Sequence, residues 1–218
     1  MSSETDAGVT VLSLAEEMRL VVDNLRSRPW IQGRMQDGEG CCAHGAVMTC
    51  QGLRPGDAHI IRAVMRSRGV TEGWNDAAGR IKDEVVAAMS RIAVTDADLA
   101  ECFGPSWRLV IAVIRRAAVL TPDDATKLAA AWEATAGDAW VAAWATAWDA
   151  AWDARDAAWE AAWDAAWDVA RAAGLDASWD VARVAVVADL VGQHGFTQAH
   201  YDTLMKPWVD ALGADWAE

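Results

Sequence analysis

The chain has 218 residues and a mass of 23.4 kDa, a length that fits one domain or two small ones. With 19 Lys and Arg against 32 Asp and Glu, its net charge of −13 repels phosphate and argues against direct nucleic-acid binding through a basic surface. No apolar run approaches the roughly 18 residues of a membrane span, Met1–Asp6 lacks the basic-then-apolar order of a secretory leader, and 53% hydrophobic residues supply a real core, so a cytoplasmic globular protein is expected.

Charge and aromatic content both change at the Thr121-Pro122 step. Residues 1–121 hold 15 acidic and 14 basic side chains and 3 Trp; residues 122–218 hold 17 acidic, 5 basic and 11 Trp. Two domains divided there are expected, 1–121 and 122–218. In the first, Ser13 is placed to cap a helix to about Arg26 that turns Leu14, Met18, Val21, Val22 and Leu25 to one face. Trp30–Gly40, with three glycines, reads as a loop, followed by a short helix over about 41–50. Asp57 is expected to cap a third helix with Ile60, Ile61, Val64 and Met65 inward. Gly73-Trp74-Asn75-Asp76 reads as a loop before a helix over about 81–92. Thr95 or Asp96 opens the next helix, and Ser106 is expected to cap one over 107–120. No segment alternates convincingly as a strand, so the fold class is all-α: a small multi-helix N-terminal domain and a C-terminal helical bundle.

Thr121-Pro122-Asp123-Asp124 combines an N-cap, a proline at the first helical position and two acids in the first turn. The helix it opens is expected to reach about residue 173, with a possible kink at Gly137. Further helices are expected over about 177–191 and from Thr197, with Pro207 bending or restarting the last. Within 138–173 the sequence repeats: Trp148-Asp-Ala-Ala-Trp152 aligns with Trp159-Glu-Ala-Ala-Trp163, a period of 11. Eleven residues in three turns is about 3.67 per turn, close to a free helix, so such a stripe stays nearly straight. At about 100° per residue, Trp140, Trp144, Trp148, Trp152, Trp159, Trp163 and Trp167 share one half of the helix. Asp149, Asp153, Asp156, Glu160, Asp164 and Asp168 form an acidic edge beside them, and alanines take most of the remaining arc.

The magnitudes make this face informative. Each Trp buries roughly 150–250 Å², so seven present well over ~1,000 Å², against about 300–600 Å² for the largest apolar patch of an ordinary monomer. Cover can come from the last two helices of the same chain or from a second copy, whose alanine face would let the indoles approach closely. The acidic edge is either a solvated face that keeps the helix soluble or a mimic of a nucleic-acid backbone able to occupy the basic groove of another protein.

Cys41, Cys42, His44 and Cys50 are weak candidates for zinc ligands, because adjacent cysteines diverge on a helix and no CxxC pair exists; reduced, packed thiols are the ordinary reading. A nucleophile pair from Cys42 with His44, His59 or His200 is conceivable, but nothing in the sequence orients the imidazole. Gln32, Asn75, Asp76 and Arg80 carry the densest polar character outside helices. They form either a shared pocket for a small ligand or a set of caps and ion pairs. No catalytic residue and no cofactor is expected.

Four short blocks occur in order: Trp30-x-Gln32-Gly33 with Asp37-Gly38, Cys42-x-x-Gly45-Ala46, Trp74-Asn75-Asp76-x-x-Gly79-Arg80, and Glu84-Val85. Over about residues 10–95 they resemble an uncharacterised family, a domain of unknown function of actinobacteria and their phages. The resemblance implies common ancestry and a small helical fold, and no activity. It departs at Ile81, where the family pattern leads one to expect a capping Thr. The Trp-Ala-Asp segment resembles low-complexity helical tails of phage and actinobacterial proteins. Together these features predict a non-enzymatic interaction or assembly protein, a homo-oligomer or the binder of a protein partner; the alternative is an acidic inhibitor of a nucleic-acid-binding host protein.

Overall fold

The computed structural model describes residues 11–135, 137–151, 188–192 and 195–214, with the side chains of 139, 144, 147–151 and 190 also outside the described set. Ten α-helices and one two-stranded hairpin occur among the described residues, an all-α fold. Helix α1 (Leu14–Ser27) begins as its sequence predicts: Ser13 accepts from the Glu16 amide while the Glu16 carboxylate takes the Ser13 amide at 2.8 Å. Its face of Leu14, Met18, Val21, Val22 and Leu25 is buried. Its C-terminal end is closed by Lys82, whose Nζ donates to the carbonyls of Arg26 and Arg28 at 2.8 and 2.7 Å.

The segment expected as a loop, Trp30–Gly40, contains strands β1 (Gln36–Asp37) and β2 (Gly40–Cys41), paired antiparallel. Two residues are too few to display an alternating pattern, which is why the hairpin escapes a periodicity argument. Trp30 also bridges to Cys41, so the chain crosses itself just before α2 (Ala43–Met48). Helix α3 (Asp57–Ser67) buries Ile60, Ile61, Val64 and Met65, but Asp57 does not cap it. Gly56 is the N-cap residue, and the Asp57 carboxylate turns instead to Arg115. Gly73–Asp76, expected as loop, lies mostly in a short helix α4 (Glu72–Asn75), because Thr71 accepts from the Trp74 amide at 3.1 Å and starts a turn. Helices α5 (Lys82–Ser90), α6 (Asp96–Phe103) and α7 (Trp107–Ala117) follow. Thr95 caps α6 with a reciprocal bond from Asp98, whereas Ile81 gives α5 no side-chain cap. Ser106 makes no side-chain cap either: its amide donates to the carboxylate of Asp189, 83 positions along the chain, at 2.8 Å.

Helix α8 (Pro122–Thr135) opens with Thr121 and Asp124 capping each other, and α9 (Asp138–Ala151) starts after Gly137. The stretch expected as one helix from 122 is thus two helices up to residue 151, and its remainder lies outside the described residues. A 3₁₀ turn (Ala188–Leu190) and α10 (Gln198–Leu212) complete the described chain; Thr197 and His200 cap α10, which runs continuously through Pro207. Helix α1 packs on α2, α3 and α5, α3 packs on α6 and α7, and α10 lies on α8 and α9. A single apolar cluster extends from Leu14 through Ile114 to Leu128, Met205 and Trp208, and so crosses the Thr121-Pro122 step without interruption.

Candidate functional site

Of the four polar residues singled out from the sequence, Arg80 bonds to Trp74 and Glu84, while Gln32 and Asp76 bond to Asn75. The Asn75 side chain is buried at 1% exposure. Its Oδ1 accepts from the indole N–H of Trp30 at 3.1 Å and from the amide of Ala43 at 3.2 Å, and its Nδ2 donates to Asp76 at 2.7 Å. Gln32 donates to the carbonyls of Asn75 and Ala77 at 3.0 and 3.1 Å. Arg80 lies over the Trp74 ring at 4.0 Å, donates to the Trp74 carbonyl, and pairs with Glu84 at 3.2 Å. The polar atoms of this constellation therefore bond to each other and to backbone.

What Asn75 serves is the start of α2. The first amides of a helix have no partner within it. Here the Cys42 amide donates to the Met35 carbonyl, that of Ala43 to Asn75, and that of Gly45 to the Cys42 sulfur at 3.3 Å. The Met35 carbonyl enters so far that a Cβ at Gly45 would collide with it, at 2.6 Å from the carbonyl carbon. The Trp30, Cys42–Gly45 and Trp74–Asp76 blocks are thus three sides of one capped helix terminus.

Among the described residues no group of three or more His, Cys, Asp or Glu is placed to hold a metal ion. Cys41 and Cys42 are buried and all four cysteines are free. Burial pushes the thiols of Cys41, Cys50 and Cys102 up, the last to about 11, the opposite of an activated nucleophile. His44 is fully buried, and burial pushes its imidazole below the ordinary value. Its Nε2 donates to the Val70 carbonyl at 2.9 Å, leaving Nδ1 3.5 Å from Glu72. Burial works to raise Glu72, but Arg66 at 2.7 Å and its other donors prevail and hold it at about 2. His59 is buried in α3, and His200 caps α10.

Of the Trp face, Trp140 is half-buried and packs edge-on against Trp132, centroids 5.6 Å apart at 81°, across the α8–α9 joint. Trp144, Trp148 and Asp149 lie on α9 by their backbone. Trp152, Trp159, Trp163 and Trp167, with Asp153, Asp156, Glu160, Asp164 and Asp168, lie outside the described residues.

A second buried polar cluster carries no motif. Glu17 of α1 is 2% exposed and Asp57 of α3 is fully buried. Arg115 of α7 forks onto Asp57 with bonds of 2.6 and 2.9 Å, and the Arg54 amide donates to Glu17 Oε1 at 2.9 Å. The turn bearing Asp57 presses against α7 so closely that a Cβ at Gly56, whose φ is +88°, would lie 2.9 Å from the Arg115 Cα. Beside Glu17, an open groove of about 560 Å³ is lined by Leu20, Asp23, Asn24 and Arg28 on one side and by Thr49–Gln51 on the other. No helix among the described residues is long and apolar enough to cross a membrane.

The chain matches no curated protein and no solved structure. Residues 9–95, which hold every block of the capped α2 terminus, match the model of the Family of unknown function (DUF6197).

Proposed function

We propose that the protein is a non-enzymatic assembly protein whose Trp-rich helical face seals against a second copy of the chain. The observation that carries this reading is the exposure pattern of α9. Ala143 is fully buried, while Val141 is 58% exposed and Ala145 is exposed. At about 100° per residue, Val141 and Ala145 share the sector of Trp148, Trp152, Trp159 and Trp163, and Ala143 lies nearly opposite. Helix α9 thus turns the arc of Val141, Ala142 and Ala145 outward and Ala143 inward, with Trp140 half-buried; in the sequence pattern that outward arc takes in the indole sector and part of the acidic edge.

Helix α10 is about 22 Å long at 1.5 Å per residue, and it packs on α8 and α9. The ladder expected from Trp152 onward lies outside the described residues. Burial of that ladder contributes roughly 25 cal/mol per Å² before association entropy and desolvation are subtracted. Aromatic anchors of this kind dominate an interface when they are central and dry.

The triple variant Trp159→Gln/Trp163→Gln/Trp167→Gln tests the proposal. Light scattering at micromolar concentration is expected to return an oligomer for the wild type and the 23.4 kDa chain mass for the variant, with the helical signal of the N-terminal part retained. A wild type of monomer mass, or a folded variant that still associates fully, would overturn it.

A further inference from the structure

Glu17 occupies an apolar position, flanked by Leu14, Met18 and Val21 on the buried side of α1. Its Oε1 has the Arg54 amide, but its Oε2 is buried and meets no N–H or O–H donor among the described residues. What Glu17 does face is the carboxyl of Asp57. Two carboxylates cannot bond each other, since both only accept; with one proton between them they make a strong hydrogen bond. Arg115, the cation at this site, has its fork on Asp57. The remaining titratable group that bears on Glu17 is the Cys50 thiol, which Glu17 itself helps to push up.

We propose that Glu17 retains a proton in the folded protein and donates it to Asp57, making a pH-operated latch that holds α1 against α3. Burial first, and the neighbouring Asp57 with it, raise the Glu17 carboxyl to about 7, which agrees with that geometry. Loss of the proton sets a second negative charge against Asp57 with one guanidinium to balance both. The α1–α3 contact then loosens, and with it the groove whose α1 wall begins at Leu20, one turn from Glu17.

The direction follows from linkage. A carboxyl raised in the folded state contributes stability that is fully present below its unfolded value of 4.5 and is gone once the pH has risen past about 7. Between pH 5.5 and 8.5 the folding equilibrium constant should therefore fall roughly thirtyfold through this group alone.

Two measurements on the full chain decide it. Carbon NMR of the Glu17 side-chain carboxyl is expected to titrate near neutrality, and a midpoint in the ordinary glutamate range would overturn the proposal. Denaturation at pH 5.5 and 8.5 should show a stability loss in the wild type that Glu17→Gln lacks, because the amide donates to Asp57 at either pH. The same comparison should show faster amide exchange along α1 at the higher pH in the wild type only. Identical pH dependence in the two proteins would contradict the latch.

Discussion

Gly45→Ala is expected to lower the stability of the protein by about 3 kcal/mol or more, at the upper end of what overpacking costs. Gly45 lies in the first turn of α2, where its backbone is ordinary for a helix and alanine is intrinsically preferred, by up to about 1 kcal/mol. The loss comes from space. The added methyl would meet the backbone carbonyl of Met35, and that carbonyl cannot retreat without breaking its 3.0 Å bond from the Cys42 amide. A backbone segment held by the β1–β2 hairpin must then move with it. Gly73→Ala is the matched control. It too lies in a helix, α4, and nothing stands within 4 Å of its added methyl, so it should be neutral or slightly stabilising. Urea denaturation of the two variants beside the wild type checks both; equal effects would show that the Met35 carbonyl gives way easily.

Asn75→Ala should cost about 3 kcal/mol, because two donors lose their acceptor while remaining largely enclosed. One is the Ala43 amide, an unpartnered group of the α2 terminus; the other is the Trp30 indole N–H. Asn75→Asp keeps the oxygen on both and should lose less, though it sets a second carboxylate against Asp76. Thermal melts followed by circular dichroism measure the ordering, with wild type above Asn75→Asp above Asn75→Ala. A melting temperature for Asn75→Ala equal to that of the wild type would remove Asn75 from its central place.

Local sequence rules reach some of these residues and stop short of others. The inward face of α1, its Ser13 cap and the Thr95 and Thr197 starts follow from such rules, since each cap bonds an amide three residues away. Asp57 and Ser106 carry the same local signature and do something else. Asp57 is drawn to a guanidinium 58 positions away, and the Ser106 amide to a carboxylate 83 positions away. A short-range rule has no access to such partners. Gln32, Asn75, Asp76 and Arg80 stand out by their polar density, but whether they face a ligand or one another depends on the three-way crossing at α2. Glu17 does leave a trace in the sequence: it is an acid at apolar spacing between Leu14 and Val21. Its partner Asp57, which turns that anomaly into a proton site, is not visible from the pattern alone.

The Trp face rests on a repeat of 11, which places the same side chains on the same sector of a helix again and again. The claim that a second chain covers it is tested most directly by dilution. Sedimentation and the quenching of indole emission by acrylamide should be followed together as the protein passes through its dissociation range. The mass is expected to fall from a multiple of 23.4 kDa to that value while the indoles become quenchable in step. A mass of 23.4 kDa at every concentration, with indole emission already shielded, would contradict it.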